Sequence, residues 1–201
     1  MTKKLTKRLT KKDDHEVDQE TNQVDNDISK TDEVEKSKNM SLSDMIPYAN
    51  MTLKKCGFKL SPTQSQTPKD GNCLAWSLSD QLTYDPINSP PMDHSRLRSL
   101  VVSSLPKMLQ AGNIEWVPYE GMETPQVWMT KMSVAGVFLD ELFIQIASII
   151  FDRSILVLNV MGQHILEYES NNHSSEPLYL LYFEECYTSS PHYQSIRPLA
   201  Q

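Results

Sequence analysis

The sequence predicts an α+β fold, an α/β sandwich in which helices flank a small central β-sheet. Two patterns carry this. Apolar residues recur at helical spacing through the first part of the core-forming region, and short runs rich in branched apolar residues, separated by turn residues, follow in the last third. A third observation locates the core. Hydrophobic residues make up only 39% of the 201-residue chain, but residues 1–40 contain almost none of the large ones while 95–185 are rich in them. The C-terminal three-quarters can therefore build a core alone.

Residues 1–40 divide by charge. Lys3, Lys4, Lys7, Arg8, Lys11 and Lys12 form a basic block, and an acidic stretch runs from Asp13 to Glu35. Without a core-forming pattern this segment is expected to be a disordered, solvated tail, with a nuclear-localisation or anionic-surface patch as the other reading of its basic block. A domain is expected over 45–200.

Ser41 or Ser43 caps a predicted helix reaching Leu53. Residues 60–69, with two prolines, read as a loop closed by Gly71. Residues 73–82 have helical composition, with Leu74, Leu78 and Leu82 on one face. A proline-rich loop spans 85–93. Residues 95–109 form an amphipathic helix with Leu97, Leu100, Val101, Leu105 and Met108 on one face, which Pro106 is expected to bend or end. A further helix begins at Met132 or Gly136 and runs to Ile150. Three strands follow, at 154–160, 164–169 and 178–183, the first two joined by the turn at Met161-Gly162-Gln163.

The formal net charge of -7 and pI near 5.2 disfavour nucleic acid as the main partner. The most apolar run, 136–150, is too short and too charged to span a membrane. Residues 1–8 lack an apolar stretch behind their basic residues, so no signal peptide is expected. Cys56, Cys73 and Cys186 are odd in number and show no CxxC spacing. This argues against a disulfide framework or a cysteine metal site and fits one reactive thiol in a reducing, cytoplasmic setting.

Cys73 is the candidate for that thiol. It follows Asp70-Gly71-Asn72 at the start of a predicted helix, where the helix dipole favours a thiolate. The glycine turn can aim backbone N–H groups of Asp70, Gly71, Asn72 and Cys73 at an oxyanion. A nucleophilic thiol also needs a base. His15, His94, His164, His173 and His192 are available, and position favours His192 only modestly. Trp76 is expected in the core. Trp116 and Trp128 lie between predicted helices, where they either meet a partner or pack under a loop. Asp140 reads as a helix cap or first-turn charge, and Cys56 and Cys186 as inert.

Three ordered blocks resemble the ovarian-tumour (OTU) family of cysteine peptidases, over about 53–198. Pro68-Lys69-Asp70-Gly71-Asn72-Cys73-Leu74 is similar to its nucleophile segment. Gly136-Val137-Phe138-Leu139-Asp140-Glu141-Leu142, with Ile146-Ala147 and Ile155-Leu156-Val157, resembles its middle block. Pro191-His192-Tyr193-Gln194-Ser195-Ile196 resembles its terminal His–aromatic motif. Ala75-Trp76 and Phe138-Leu139 depart from the residues common there.

The resemblance implies an OTU-like peptidase fold and a cofactor-free, metal-free thiol protease. Its expected substrate is the isopeptide bond of ubiquitin, a ubiquitin-like protein or a polyubiquitin chain. Cys73 would be the nucleophile and His192 the general base. Asp70 carries over as the acidic residue of the nucleophile loop. Many members place Asp or Asn two residues after the histidine, where this chain has Gln194, so the third member of the triad lies between Asp70, Gln194 and a residue not yet identified. A ubiquitin-binding module of weak or no activity, and a viral, transposon or effector processing peptidase, stand as alternatives. The expected location is cytoplasmic, with the nucleus or a host cytosol also open.

Overall fold

The computed structural model describes residues 41–62, 70–84, 92–170, 175–184 and 191–199. The expected tail at 1–40, His15, His173, Cys186 and the loop segments 63–69, 85–91 and 171–174 lie outside the described residues.

The five described helices are α1 (Leu42–Lys55), α2 (Cys73–Tyr84), α3 (His94–Gln110), α4 (Pro125–Met132) and α5 (Glu141–Phe151). The strands are β1 (Phe58–Leu60), β2 (Ile155–Asn159), β3 (His164–Tyr168), β4 (Leu178–Phe183) and β5 (His192–Pro198). They form one sheet in the order β1-β5-β4-β2-β3, with β4 and β2 parallel and the other neighbours antiparallel. The α+β class read from the sequence is the observed one.

Strand alternation divides the core between the two sheet faces. On one face Ile155, Val157, Leu178, Leu180 and Tyr193 meet the helices α2 to α5. On the other, Leu158, Leu181, Phe183 and Ile196 meet α1. Helix α1 presents Leu42, Met45, Ala49 and Leu53, all buried, and starts with a capping box. Ser41 Oγ accepts the Asp44 N–H at 3.3 Å while Asp44 accepts the Ser41 N–H at 3.1 Å. Among the described residues no helix is long and apolar enough to cross a membrane.

The structure corrects three element readings. Pro106 does not end α3, which runs on to Gln110, because Leu105 stays buried and Met108 and Leu109 still pack on the core beyond it. The helix expected to start at Met132 or Gly136 starts only at Glu141, after a loop. Gly136 takes φ +85°, outside the helical region, and extended Asp140 caps α5 by accepting the Phe143 N–H at 3.3 Å. Helix α4 and strands β1 and β5 were not expected. The first two are short, and β5 is too polar to read as an apolar run.

Candidate active site

The Asp70–Cys73 turn is built around one peptide plane. Gly71 adopts φ +76°, and a Cβ there would stand 1.8 Å from the Gly136 carbonyl oxygen, so the position requires glycine. The peptide joining Gly71 to Asn72 is held at both ends. Asp70 Oδ1 accepts the Asn72 N–H at 2.9 Å, and the Gly71 carbonyl accepts from Arg98 Nη2 at 3.2 Å. The Asn72 carbonyl then accepts the Trp76 N–H at 2.9 Å, which opens α2 with Cys73 as its first residue.

Arg98 is the residue the sequence reading missed. It is 3% exposed and, besides Gly71, donates to Asn72 Oδ1 and the Val137 carbonyl at 2.8 Å each, the Met132 carbonyl at 2.8 Å and the Val134 carbonyl at 3.2 Å. The Gly136 N–H joins at Asn72 Oδ1, at 3.1 Å. One guanidinium thus ties the nucleophile turn to the loop between α4 and α5. The signal was present: Arg98 falls on the same helical stripe as Val101, Val102 and Leu105.

Cys73 packs against β5. Its Sγ accepts the Tyr193 backbone N–H at 3.5 Å, across 120 residues of sequence. The thiol is 3% exposed. Burial pushes its pKa up, and the N–H groups of Tyr193, Leu74 and Cys73 itself only partly oppose this, while the Asp70 charge adds to the rise. The helix start expected to favour a thiolate is present, but desolvation outweighs it in the resting structure.

His192 opens β5 opposite Phe183, its ring 6.2 Å from the Phe183 ring, and is 2% exposed. Tyr193 turns to the other face, where its ring lies 4.8 Å from Tyr182 and 5.9 Å from Phe138. Gln194, also buried, returns by alternation to the face of His192. Farther along, α2 and β5 are fastened by polar groups. Gln81 Nε2 donates to Ser195 Oγ and the Ile196 carbonyl, both at 2.6 Å, and Gln81 Oε1 accepts the Tyr179 N–H at 3.1 Å. Asp80 accepts from Ser195 Oγ at 2.6 Å and pairs with Arg197 at 3.1 Å. The helix that starts with Cys73 and the strand that starts with His192 are therefore held in fixed register.

Asp70 is turned to its own loop. Burial raises its carboxyl pKa, but bonds from the Asn72 side chain and backbone and from its own N–H, with His94 nearby, more than reverse this and hold it below the ordinary value. His94 sits beside this turn, stacked on Trp76 with ring centroids 3.7 Å apart. His164 is exposed on β3, separated from β5 by β4 and β2. Trp128 is fully buried and donates to Asp140 Oδ2 at 2.7 Å, whereas Trp116 is half-buried and donates to the Glu123 carbonyl at 3.4 Å. Cys56 is an exposed free thiol. Among the described residues no three His, Cys, Asp or Glu side chains gather as metal ligands.

The thiol therefore meets the backbone at the start of β5, one residue from His192, whose own ring lies by Phe183. The family model described as OTU-like cysteine protease matches residues 68–193, and the chain belongs to that family. Among solved structures, the OTU domain of OTUD1 is similar at a TM-score of 0.53 and 14% identity, covering 76% of this chain and 94% of that one. At that identity the likeness speaks to the fold. The Hazara virus OTU bound to ubiquitin gives a TM-score of 0.49 at 14% identity, over 72% of this chain and 83% of that one. The OTU protease of Dera Ghazi Khan virus gives 0.48 at 15%, over 71% and 82%. No curated protein sequence matches significantly.

Proposed function

We propose that this protein is a cysteine-dependent deubiquitinase that hydrolyses isopeptide bonds between ubiquitin and lysine side chains. The observation that carries the reading is the 3.5 Å contact from the Tyr193 N–H to Cys73 Sγ, which brings the start of the His192 strand to the thiol. Membership of the OTU-like cysteine protease family supports the peptidase chemistry. Ubiquitin, a ubiquitin-like modifier or a polyubiquitin chain enters as the substrate through the family resemblance.

In this reading Cys73 Sγ attacks the isopeptide carbonyl carbon and His192 takes the thiol proton. The same imidazole protonates the departing lysine amine, and water then releases the acyl group from sulfur. Burial pushes the resting thiol pKa up, which makes a general base necessary. The oxyanion is received by backbone N–H groups of the Asp70–Cys73 turn, of which the Asn72 N–H is engaged by Asp70 at rest. Gln194, on the same strand face as His192, is the orienting partner of the imidazole, and Asp70 stabilises the loop. A free thiol nucleophile suits a reducing cytoplasmic or nuclear compartment.

Incubation with lysine-linked diubiquitin tests the activity. Release of monoubiquitin that Cys73→Ala abolishes is expected. The burial of Cys73 keeps a second reading open, a ubiquitin-binding module that does not cleave. That module would bind diubiquitin and leave it intact.

A further inference from the structure

Arg98 is an unusual buried cation. Among the described residues it makes no ion pair, and its five hydrogen bonds end on four backbone carbonyls and one amide oxygen. An interior charge whose hydrogen bonds all go to neutral oxygens is expensive, and an apolar side chain at this point of the α3 stripe would serve packing better. Its placement supplies a reason. Arg98 grips the carbonyl end of the Gly71–Asn72 peptide whose N–H end is gripped by Asp70, and it also holds the Asn72 side chain that receives the Gly136 N–H.

We propose that Arg98 is a positioning residue of the nucleophile turn: it locks the peptide plane between Gly71 and Asn72 and so fixes the backbone that leads into Cys73. The lock follows from the fork. A guanidinium can serve Gly71, Asn72 and the 132–137 loop together, and an ammonium cannot span all of them.

This rests on Cys73 being the nucleophile, but its test needs no ubiquitin. Cys73 carbamidomethylation by iodoacetamide is followed against pH by the mass of the Cys73 peptide, with the Cys56 peptide as an internal control. Arg98→Lys keeps the charge and loses the fork; at pH 8 it is expected to slow Cys73 alkylation about fivefold, displacing the pH profile toward higher pH as the loosened turn carries the Cys73 and Leu74 N–H groups away from the sulfur. Asn72→Ala leaves Arg98 on its carbonyls and is expected to slow the reaction about threefold. Cys56 should react at the parental rate in both. Unfolding exposes Cys73 and speeds its reaction, so circular dichroism selects the folded variants. A parental or faster Cys73 rate in either folded variant overturns the proposal. A protein that leaves ubiquitin intact yet shows both slowed profiles loses the deubiquitinase reading and keeps this one.

Discussion

Gly71 and Gly136 meet backbone to backbone: a Cβ on Gly71 would lie 1.8 Å from the Gly136 carbonyl oxygen, and one on Gly136 would lie 3.2 Å from the Asp70 carbonyl oxygen. The two contacts differ in severity, and that difference is testable. Gly71→Ala adds a clash with backbone to the strain of φ +76°, and it should cost about 3 kcal/mol or more. Gly136→Ala should cost about half as much, since its neighbour needs to give only slightly. Chemical denaturation of both variants compares them, and equal losses would mean that the turn relaxes freely.

His94, stacked on Trp76, and His192, one residue from the Tyr193 N–H that meets Cys73, should respond differently to removal. His192→Ala should reduce turnover of a fluorogenic ubiquitin amide on the order of a thousandfold, the usual contribution of a general base. His94, stacked on Trp76 beside Asp70, supports the turn, and His94→Ala should cost less than about tenfold. A larger loss at His94 than at His192 would reverse the assignment of the base.

The orienting partner of His192 separates by pairing turnover with stability. Gln194→Ala should lower turnover about tenfold or more, because a mis-set imidazole tautomer cannot accept the thiol proton. Asp70→Ala should lower turnover and the unfolding midpoint together, since Asp70 holds the Asn72 N–H of the turn. Unchanged turnover in Gln194→Ala removes its claim on the imidazole.

Stability against pH carries two opposite signatures. Asp70 is held below its unfolded value near 3.8, so its contribution is fully present above that pH and is lost as pH falls through the folded value. Asp70→Asn should therefore flatten the acid limb. Cys73 is raised above its unfolded value near 9.0, so the unfolded chain releases that proton first and stability falls as pH rises past it. Cys73→Ala should reduce this alkaline loss. Thermal unfolding across pH reads both, and an acid limb identical in Asp70→Asn would show that Asp70 does not anchor the turn.

Much of the fold was legible because α1, α2 and α3 bury single-sided apolar patterns, while β2 and β4, packed on both faces, read as near-continuous apolar runs. What escaped it depends on tertiary partners. Strand β5 carries His192, Gln194, Ser195 and Arg197, polar residues that read as a loop until Asp80 and Gln81 of α2 are seen to satisfy Ser195 and Arg197. At the site, Cys73 and the Gly71 turn were readable locally, and His192 stood out from the other histidines only through its resemblance to a family motif. Arg98 remained hidden because its role is spatial: it joins Gly71 to Val137, residues 66 positions apart that nothing local connects.

The central claim is that Cys73 is a nucleophile for the ubiquitin C-terminus. Intact-mass analysis after exposure to ubiquitin carrying a C-terminal electrophile tests it most directly. A single adduct is expected, mapping to Cys73, absent from Cys73→Ala and suppressed in His192→Ala. A protein that remains unmodified while correctly folded, or an adduct that persists in Cys73→Ala, would contradict it.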